Sequence, residues 1–463
     1  MLEKLELLAL IKHNLAIYCI VPVVFLSGLY FSFTLKFIQF RKIITAIKHT
    51  VNPSDNKGQG FSSFGALAAV LGGNLGTGNI AGIAVALTTG GPGSLFWMTI
   101  MVVFGMVIKF CCCFLGVRYR EQDSKNNWVG GPMYYLAKGL NSKYLSKIFC
   151  ILTICSAVTT GNFIQIHSIT LPLNQARVSP LIVALVVAVF VAIVMIGGVK
   201  RFSRMVISVV PFMALFYMFA CISILFAHKD LLLPSLKLIW SSAFDIKALG
   251  GAGLGFTLQT AIRVGFDRGI MATDTGIGIA PILHSQVSQD KLHYRDIAMQ
   301  QGLISMLAPI VVLLVCMLTG LVLLVTNVWQ MPLESTSMCL AAFKIGLSNG
   351  DWAAFVVNVT LCLFAFTTIL TWAYCAESAV QYLCKDLKNH KYILLFRYVF
   401  VAIIPLGVFF EVRVLWNLAD LFLNFMLLIN MYAICRLFKY ILIDLNINKQ
   451  NINKQPDSIE YVL

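Results

Sequence analysis

The chain has 463 residues, 59% of them hydrophobic and only 12% charged, with a mean hydropathy of +0.84. Soluble domains carry about 25% charged residues, so a soluble enzyme or binding module is excluded. Runs of 18 or more apolar residues along the whole length point to an all-α protein crossing the membrane many times, not to the short alternating strands of a barrel. The net charge of +15 would suggest nucleic acid in a soluble protein; here it is read loop by loop, and no nucleic-acid partner is expected.

About eleven spans are expected in chain order, at 14–34, 61–87, 93–117, 146–168, 180–198, 205–227, 252–283, 302–326, 352–380, 392–409 and 414–437. The first is read as a retained anchor, because "MLEKLELL" before it has mixed charge and a basic loop, not a cleavage site, follows. Basic residues then alternate between connectors. Arg41 and Lys42, Arg118 and Arg120, Lys200, Arg201 and Arg204, and Lys385, Lys388 and Lys391 lie on one set, while the other has few, such as Arg177 and Lys344. The positive-inside rule places the first set in the cytoplasm, the N-terminus outside and the C-terminus inside. The tail "NINKQNINKQPDSIEYVL" has no apolar periodicity and reads as disordered.

Two spans are broken. The first carries "GGNLGTGNIAG" at 72–82, five glycines beside Asn74, Thr77 and Asn79. The second carries "RVGFDRGIMATDTGIGIAP", with Gly265, Gly269, Gly276, Gly278 and Pro281 beside Asp267, Arg268 and Asp274. Glycine alone serves helix packing, but packing does not call for the polar neighbours. Four uninterrupted spans follow each break, so 61–227 and 252–437 read as a five-plus-five inverted repeat, after an anchor and amphipathic connector at 1–60, with an extracellular connector at 228–251 and a tail at 438–463. Interrupted spans at matching positions of two halves mark a transport site at the bilayer midplane. Half-helix N-termini favour a carboxylate and freed carbonyls favour a cation, so an amino acid with a small cation satisfies both.

Three further features bear on that site. "TTGNFIQIHS" (159–168) sets Thr159, Thr160, Asn162 and Gln165 as a polar stripe late in a span. In "AFTTILTWAYCAESAVQYL" (365–383) the threonines either bond carbonyls four residues back or offer oxygen ligands to Na⁺, and Trp372 is either an interfacial anchor or, from its depth, a pocket wall. Lys109, near a span end, is expected to snorkel. The thirteen cysteines lie mostly inside spans, without zinc spacing, and read as small apolar residues.

These motifs resemble the alanine-or-glycine:cation symporters over about residues 15–437. "GTGNIAGIAVALTTGGPGSLFWM" (76–98), "YREQDSKNNWVGGPMYYLAKGL" (119–140), "RGIMATDTGIGIAPILHS" (268–285) and "FAFTTILTWAYCAESAVQYL" (364–383) carry the likeness. The resemblance implies the leucine-transporter-type fold with one extra N-terminal helix, and Na⁺-coupled import of a small neutral amino acid, glycine or alanine (D- or L-), by a monomer in the lipid bilayer. It places Thr77, Gly78, Asn79, Gln165 and Trp372 at the substrate, and Na⁺ between the carbonyls of Gly72 and Leu75 and the hydroxyls of Thr367 and Thr368. The chain departs from the family pattern at 271–276, where Ala272, Thr273 and Asp274 replace a serine, an asparagine and a glutamate; Thr273 and Asp274 are expected at the substrate, with the methyls of Thr273 and Thr275 reshaping the pocket. Proton coupling through Asp274 or Glu377, for a different small amino acid, and a sensor that binds without transporting are the alternative readings.

Overall fold

The computed structural model describes residues 14–51, 61–123, 126–175, 178–244, 258–288, 292–333, 335–347, 350–384 and 391–445. The expectations for Arg177, Lys385, Lys388 and the tandem NINKQ tail lie outside these residues.

The architecture is all-helical, apart from one small hairpin among the described residues. After α1 (Val21–Thr34) and the short, strongly amphipathic α2 (Ile43–Val51), the Ser62 hydroxyl accepts the N–H of Gly65 at 2.9 Å and starts α3 (Ser63–Asn74). That helix stops at Asn74, and α4 (Gly78–Gly90) restarts at 47° to it, forming the first break. The long α5 (Gly93–Arg118) runs unbroken and buries Cys111, Cys112 and Cys113. A hairpin of β1 (Glu121–Gln122) and β2 (Trp128–Val129) and the short α6 (Pro132–Gly139) fill the basic connector at 118–145. Next come α7 (Lys143–Val158), a π-helical turn over Thr159–Phe163, α8 (Ile164–Gln175), α9 (Pro180–Ile196), α10 (Gly198–Ala227) and α11 (Lys229–Phe244).

The second break separates α12 (Leu258–Thr273) from α13 (Ala280–His284). Asp274, Gly276 and Gly278 have φ of 48°, 78° and 103°, so the polypeptide unwinds where glycine makes left-handed backbone inexpensive. Then follow α14 (Tyr294–Ser305), α15 (Leu307–Val325), α16 (Ser335–Gly346), α17 (Gly350–Leu383), α18 (Lys391–Ala402) and α19 (Val412–Asp444).

Seven helices among the described residues are long and apolar enough to cross a membrane, or eight with the bent α3–α4 pair as one span. The expected spans at 14–34 and 180–198 fall on shorter apolar helices, Tyr18–Thr34 and Pro180–Ile196. Two boundaries differ from the sequence reading. The connector at 228–251 contains α11, and the last helix runs to Asp444, beyond the expected end at 437. Asp444 extends that helix because its carboxylate pairs with Arg118 and with Arg295, the latter at 3.5 Å. Helix α5 packs along α12 and α14, while α3 lies between α10 and α17, so both breaks sit at the centre of the bundle.

Candidate functional site

The first break leaves the last carbonyls of α3 without helical partners, and side chains from other helices supply them. Thr368 Oγ1 donates to the Gly72 carbonyl at 3.0 Å; earlier in the helix, inside its hydrogen-bond ladder, the Ala69 carbonyl accepts an additional bond from Thr371 Oγ1 at 3.2 Å. Asn79 reaches back with Nδ2 to the carbonyl of Asn74. Thr77 donates both its hydroxyl (2.9 Å) and its backbone N–H (3.3 Å) to Gln165 Oε1, while Gln165 Nε2 donates to the Thr160 carbonyl at 3.1 Å. The π turn over Thr159–Phe163 interrupts the regular α-helical ladder at that carbonyl.

At the second break the Thr273 carbonyl accepts from Asn74 Nδ2 at 3.0 Å and from Lys109 Nζ at 2.6 Å. Asn430 Nδ2 donates to the Gly276 carbonyl at 2.7 Å, and Asn430 Oδ1 accepts from the Tyr135 hydroxyl. The Thr273 hydroxyl is turned away, to the Gly269 carbonyl and Thr275 Oγ1, both at 2.7 Å.

Between the breaks lies a cavity of about 90 Å³. Its wall includes Gly78, Asn79, Gln165, Asp274, Trp372 and Thr368 from the sequence-predicted set. Trp372 is 1% exposed, and Gly161 allows it close approach: a Cβ there would lie 2.3 Å from Trp372 Cβ. Two oxygens at this wall are buried without a hydrogen-bond partner among the described residues, Oδ2 of Asp274 and the hydroxyl of Thr160. Asp274 is 9% exposed.

The other expected residues lie one layer behind. Thr77 acts on the cavity through Gln165. Gly72 and Leu75 are buried in the first break, where only the Gly72 carbonyl meets Thr368. Thr367 turns its hydroxyl to the carbonyls of Leu363 and Phe364, at 3.0 and 3.1 Å, on its own helix. Thr273 contributes backbone, and Thr275 packs against Gly105 rather than into the cavity, so neither methyl shapes the wall as expected. Glu377 makes a two-point pair with Arg397 at 2.6 and 2.7 Å, away from the cavity wall.

Sequence reasoning missed several residues. Lys109 does not snorkel; it is 1% exposed and hydrogen-bonded at the second break. Trp416 and Asp420 on α19 join the wall; Arg268, already singled out beside Asp267 in the sequence, also lines it, with its Nη2 3.5 Å from Asp267 Oδ2. An acidic residue inside the span at 414–437 was the available signal for Asp420.

The cavity lining extends along α4 and α12 to Gly82, Ile83, Asp267 and Arg268. The opposite end is closed by the segment after α13. Phe61 and Val287 form a β-bridge, Gln301 Nε2 donates to Ser63 Oγ at 2.9 Å, and the Tyr374 hydroxyl donates to Gln286. Arg120 donates to the carbonyls of Ser285 (3.2 Å) and Val287 (2.7 Å). A cavity between two helix breaks has the position at which transporters hold their solute.

Comparison with known proteins agrees with this geometry. The model of the sodium:alanine symporter family matches residues 3–460. An uncharacterized transporter of Haemophilus influenzae is 35% identical over 90% of both chains. The sodium/alanine symporter AgcS of Methanococcus maripaludis is 34% identical over 85% of this chain and 86% of its own. A probable sodium/glutamine symporter, GlnT, of Bacillus subtilis is 29% identical over 89% and 84%. Among solved structures, a manganese transporter of Eremococcus coleocola superposes with a TM-score of 0.55 at 13% identity, over 85% of this chain and 81% of its own, a likeness of fold. The relatives are transporters, and this chain is a multi-pass membrane transport protein, not an enzyme. It belongs to the sodium:alanine symporter family.

Proposed function

We propose that the protein is a secondary-active symporter of the inner membrane that imports a small neutral amino acid, alanine or glycine, with Na⁺ as the coupling ion. The observation that carries this reading is the small cavity between the two breaks, lined by Asp274 and Thr160, each with a buried oxygen that has no hydrogen-bond partner among the described residues. A carboxylate in that position receives a substrate ammonium. The start of α4 at Gly78 and Asn79 presents the positive end of a half-helix to a substrate carboxylate. Gln165 is oriented by Thr77, and Trp372 walls the side-chain end. Na⁺ belongs beside the Gly72 and Leu75 carbonyls, with Thr368 as its hydroxyl ligand; the Thr367 hydroxyl serves its own helix instead. One inward Na⁺ gains ~2.3 kcal/mol per 100 mV of membrane potential. The name of GlnT widens the substrate question to glutamine, but the small cavity favours a small side chain.

In this reading the chain is a monomer of about eleven spans in the five-plus-five arrangement, halves 61–227 and 252–437, N-terminus outside and C-terminus cytoplasmic. The end of the cavity lined by Gly82 and Arg268 then faces outward, and the bonded segment at 284–288 faces the cytoplasm. The test is purified protein in liposomes with labelled alanine, glycine and glutamine under separately imposed Na⁺ and H⁺ gradients. Na⁺-driven accumulation of alanine or glycine is expected. Accumulation driven by H⁺ alone overturns the coupling, and accumulation of none of the three overturns the substrate class.

A further inference from the structure

Lys109 is the feature that the transport reading leaves unused. A lysine buried at membrane depth is costly unless something there needs its charge. The last residue of α12 is Thr273, and Lys109 Nζ donates to its carbonyl at 2.6 Å. The same oxygen accepts from Asn74, the last residue of α3, at 3.0 Å. The two broken spans therefore end against each other, C-terminus to C-terminus. Each such end carries the equivalent of about half a negative charge, and the Asp274 carboxyl group lies within electrostatic reach of the ammonium. Positive charge is required here, and the two breaks obtain it differently. At the first, the Gly72 carbonyl meets the hydroxyl of Thr368, a cavity-wall residue and a fitting oxygen pair for a free ion. At the second, the Thr273 hydroxyl is committed to Gly269 and Thr275, and the ammonium already caps the carbonyl.

We infer that Lys109 is a tethered cation standing at the second break where an inorganic ion would otherwise be needed, so that the transporter takes up a coupling ion only at the first break. This rests on the Na⁺-symport reading. Lys109 is a positioning residue: it neutralises the facing helix ends and holds the backbone that presents Asp274 to the cavity.

The test measures initial alanine uptake against Na⁺ concentration in liposomes for the wild type, Lys109→Arg and Lys109→Met. Without the ammonium, a free cation must fill the second break. The limiting slope of log rate against log Na⁺ should then rise by about one for Lys109→Met, by mass action, while Lys109→Arg keeps the wild-type slope. A Lys109→Met protein that transports with the wild-type slope overturns the inference. Should Lys109→Met not be recovered as a monodisperse protein or not transport, Lys109→Ala is purified with and without methylammonium, a free ammonium small enough to enter the space that the truncation leaves. Restoration of its melting temperature by methylammonium, with no such effect on the wild type, supports the tethered-cation role; no restoration overturns it. The melting assay needs no amino-acid flux. A wild type that accumulates no amino acid therefore defeats the symport reading, and the methylammonium arm still decides the charge requirement at Lys109.

Discussion

Thr367 and Thr368 are neighbours on α17, turned about 100° apart by the helix. The Thr367 hydroxyl bonds carbonyls of its own helix, while the Thr368 hydroxyl crosses to Gly72 and faces the cavity. The sequence offered both fates to the pair, and the rotation of α17 against α3 assigns one to each. Thr368→Val should therefore orphan the Gly72 carbonyl, at about 1–3 kcal/mol, and raise the Na⁺ concentration for half-maximal uptake by about tenfold or more, ~1.4 kcal/mol. Thr367→Val should leave that concentration nearly unchanged; uptake titrated with Na⁺ separates the two. Gly78 gives a second residue-scale expectation. A Cβ there meets only Trp416, at 3.9 Å, so Gly78→Ala fits without strain but takes room from the cavity. One methyl is worth about 1–3 kcal/mol of discrimination in a shaped pocket, so the alanine-to-glycine uptake ratio should fall about tenfold, read from competition between the two labelled substrates.

At the scale of elements, the second break depends on backbone that few residues tolerate. Gly278 has φ of 103°, and a Cβ there would lie 2.7 Å from Pro132 Cγ and 2.9 Å from Phe149. Gly278→Ala adds strain of about 1–3 kcal/mol and should lower the melting temperature in detergent while weakening alanine binding, because the altered turn carries Asp274. The pairing of α17 with α18 is a separate matter. Glu377 and Arg397 are mostly buried and bonded at two points, and truncating one partner leaves the other charge without compensation, at up to about 3 kcal/mol. Glu377→Gln should lower thermal stability yet leave the cation dependence of uptake unaltered. Loss of H⁺-driven uptake in this variant would restore Glu377 as a proton carrier.

Over the whole molecule, one end of the bundle is locked by groups far apart in the chain. Asp444, whose side chain is 2% exposed, pairs with Arg118 at the end of α5 and Arg295 at the start of α14. Nearby, Arg120 ties down Ser285 and Val287. Releasing this lock should raise the population open at that end. Asp444→Ala should increase hydrogen exchange of the 284–288 amides about tenfold, corresponding to ~1.4 kcal/mol, with no comparable change in amides of α4. An unchanged exchange rate at 284–288 would show that the lock does not hold that end closed.

The positions of both breaks were legible in the sequence, since glycines clustered beside polar residues weaken a helix that the surrounding lipid otherwise keeps intact. Asn79, Gln165, Asp274 and Trp372 were legible for the same reason, as polar or bulky groups set deep in spans. Lys109 was not. On a single helix a lysine near a span end has a path to water, and only the packing of α12 along α5 closes that path and places the helix-end carbonyl of Thr273 in front of the ammonium. The same limit applies to the directions of Thr273 and Thr367, the contribution of Trp416 and Asp420 from the last helix, and the extension of that helix to Asp444. Local composition determines where a membrane helix must unwind, because the cost of unpaired backbone is set residue by residue. Which partners then satisfy the unwound carbonyls depends on how distant helices rotate against each other, and that was decided by the tertiary structure.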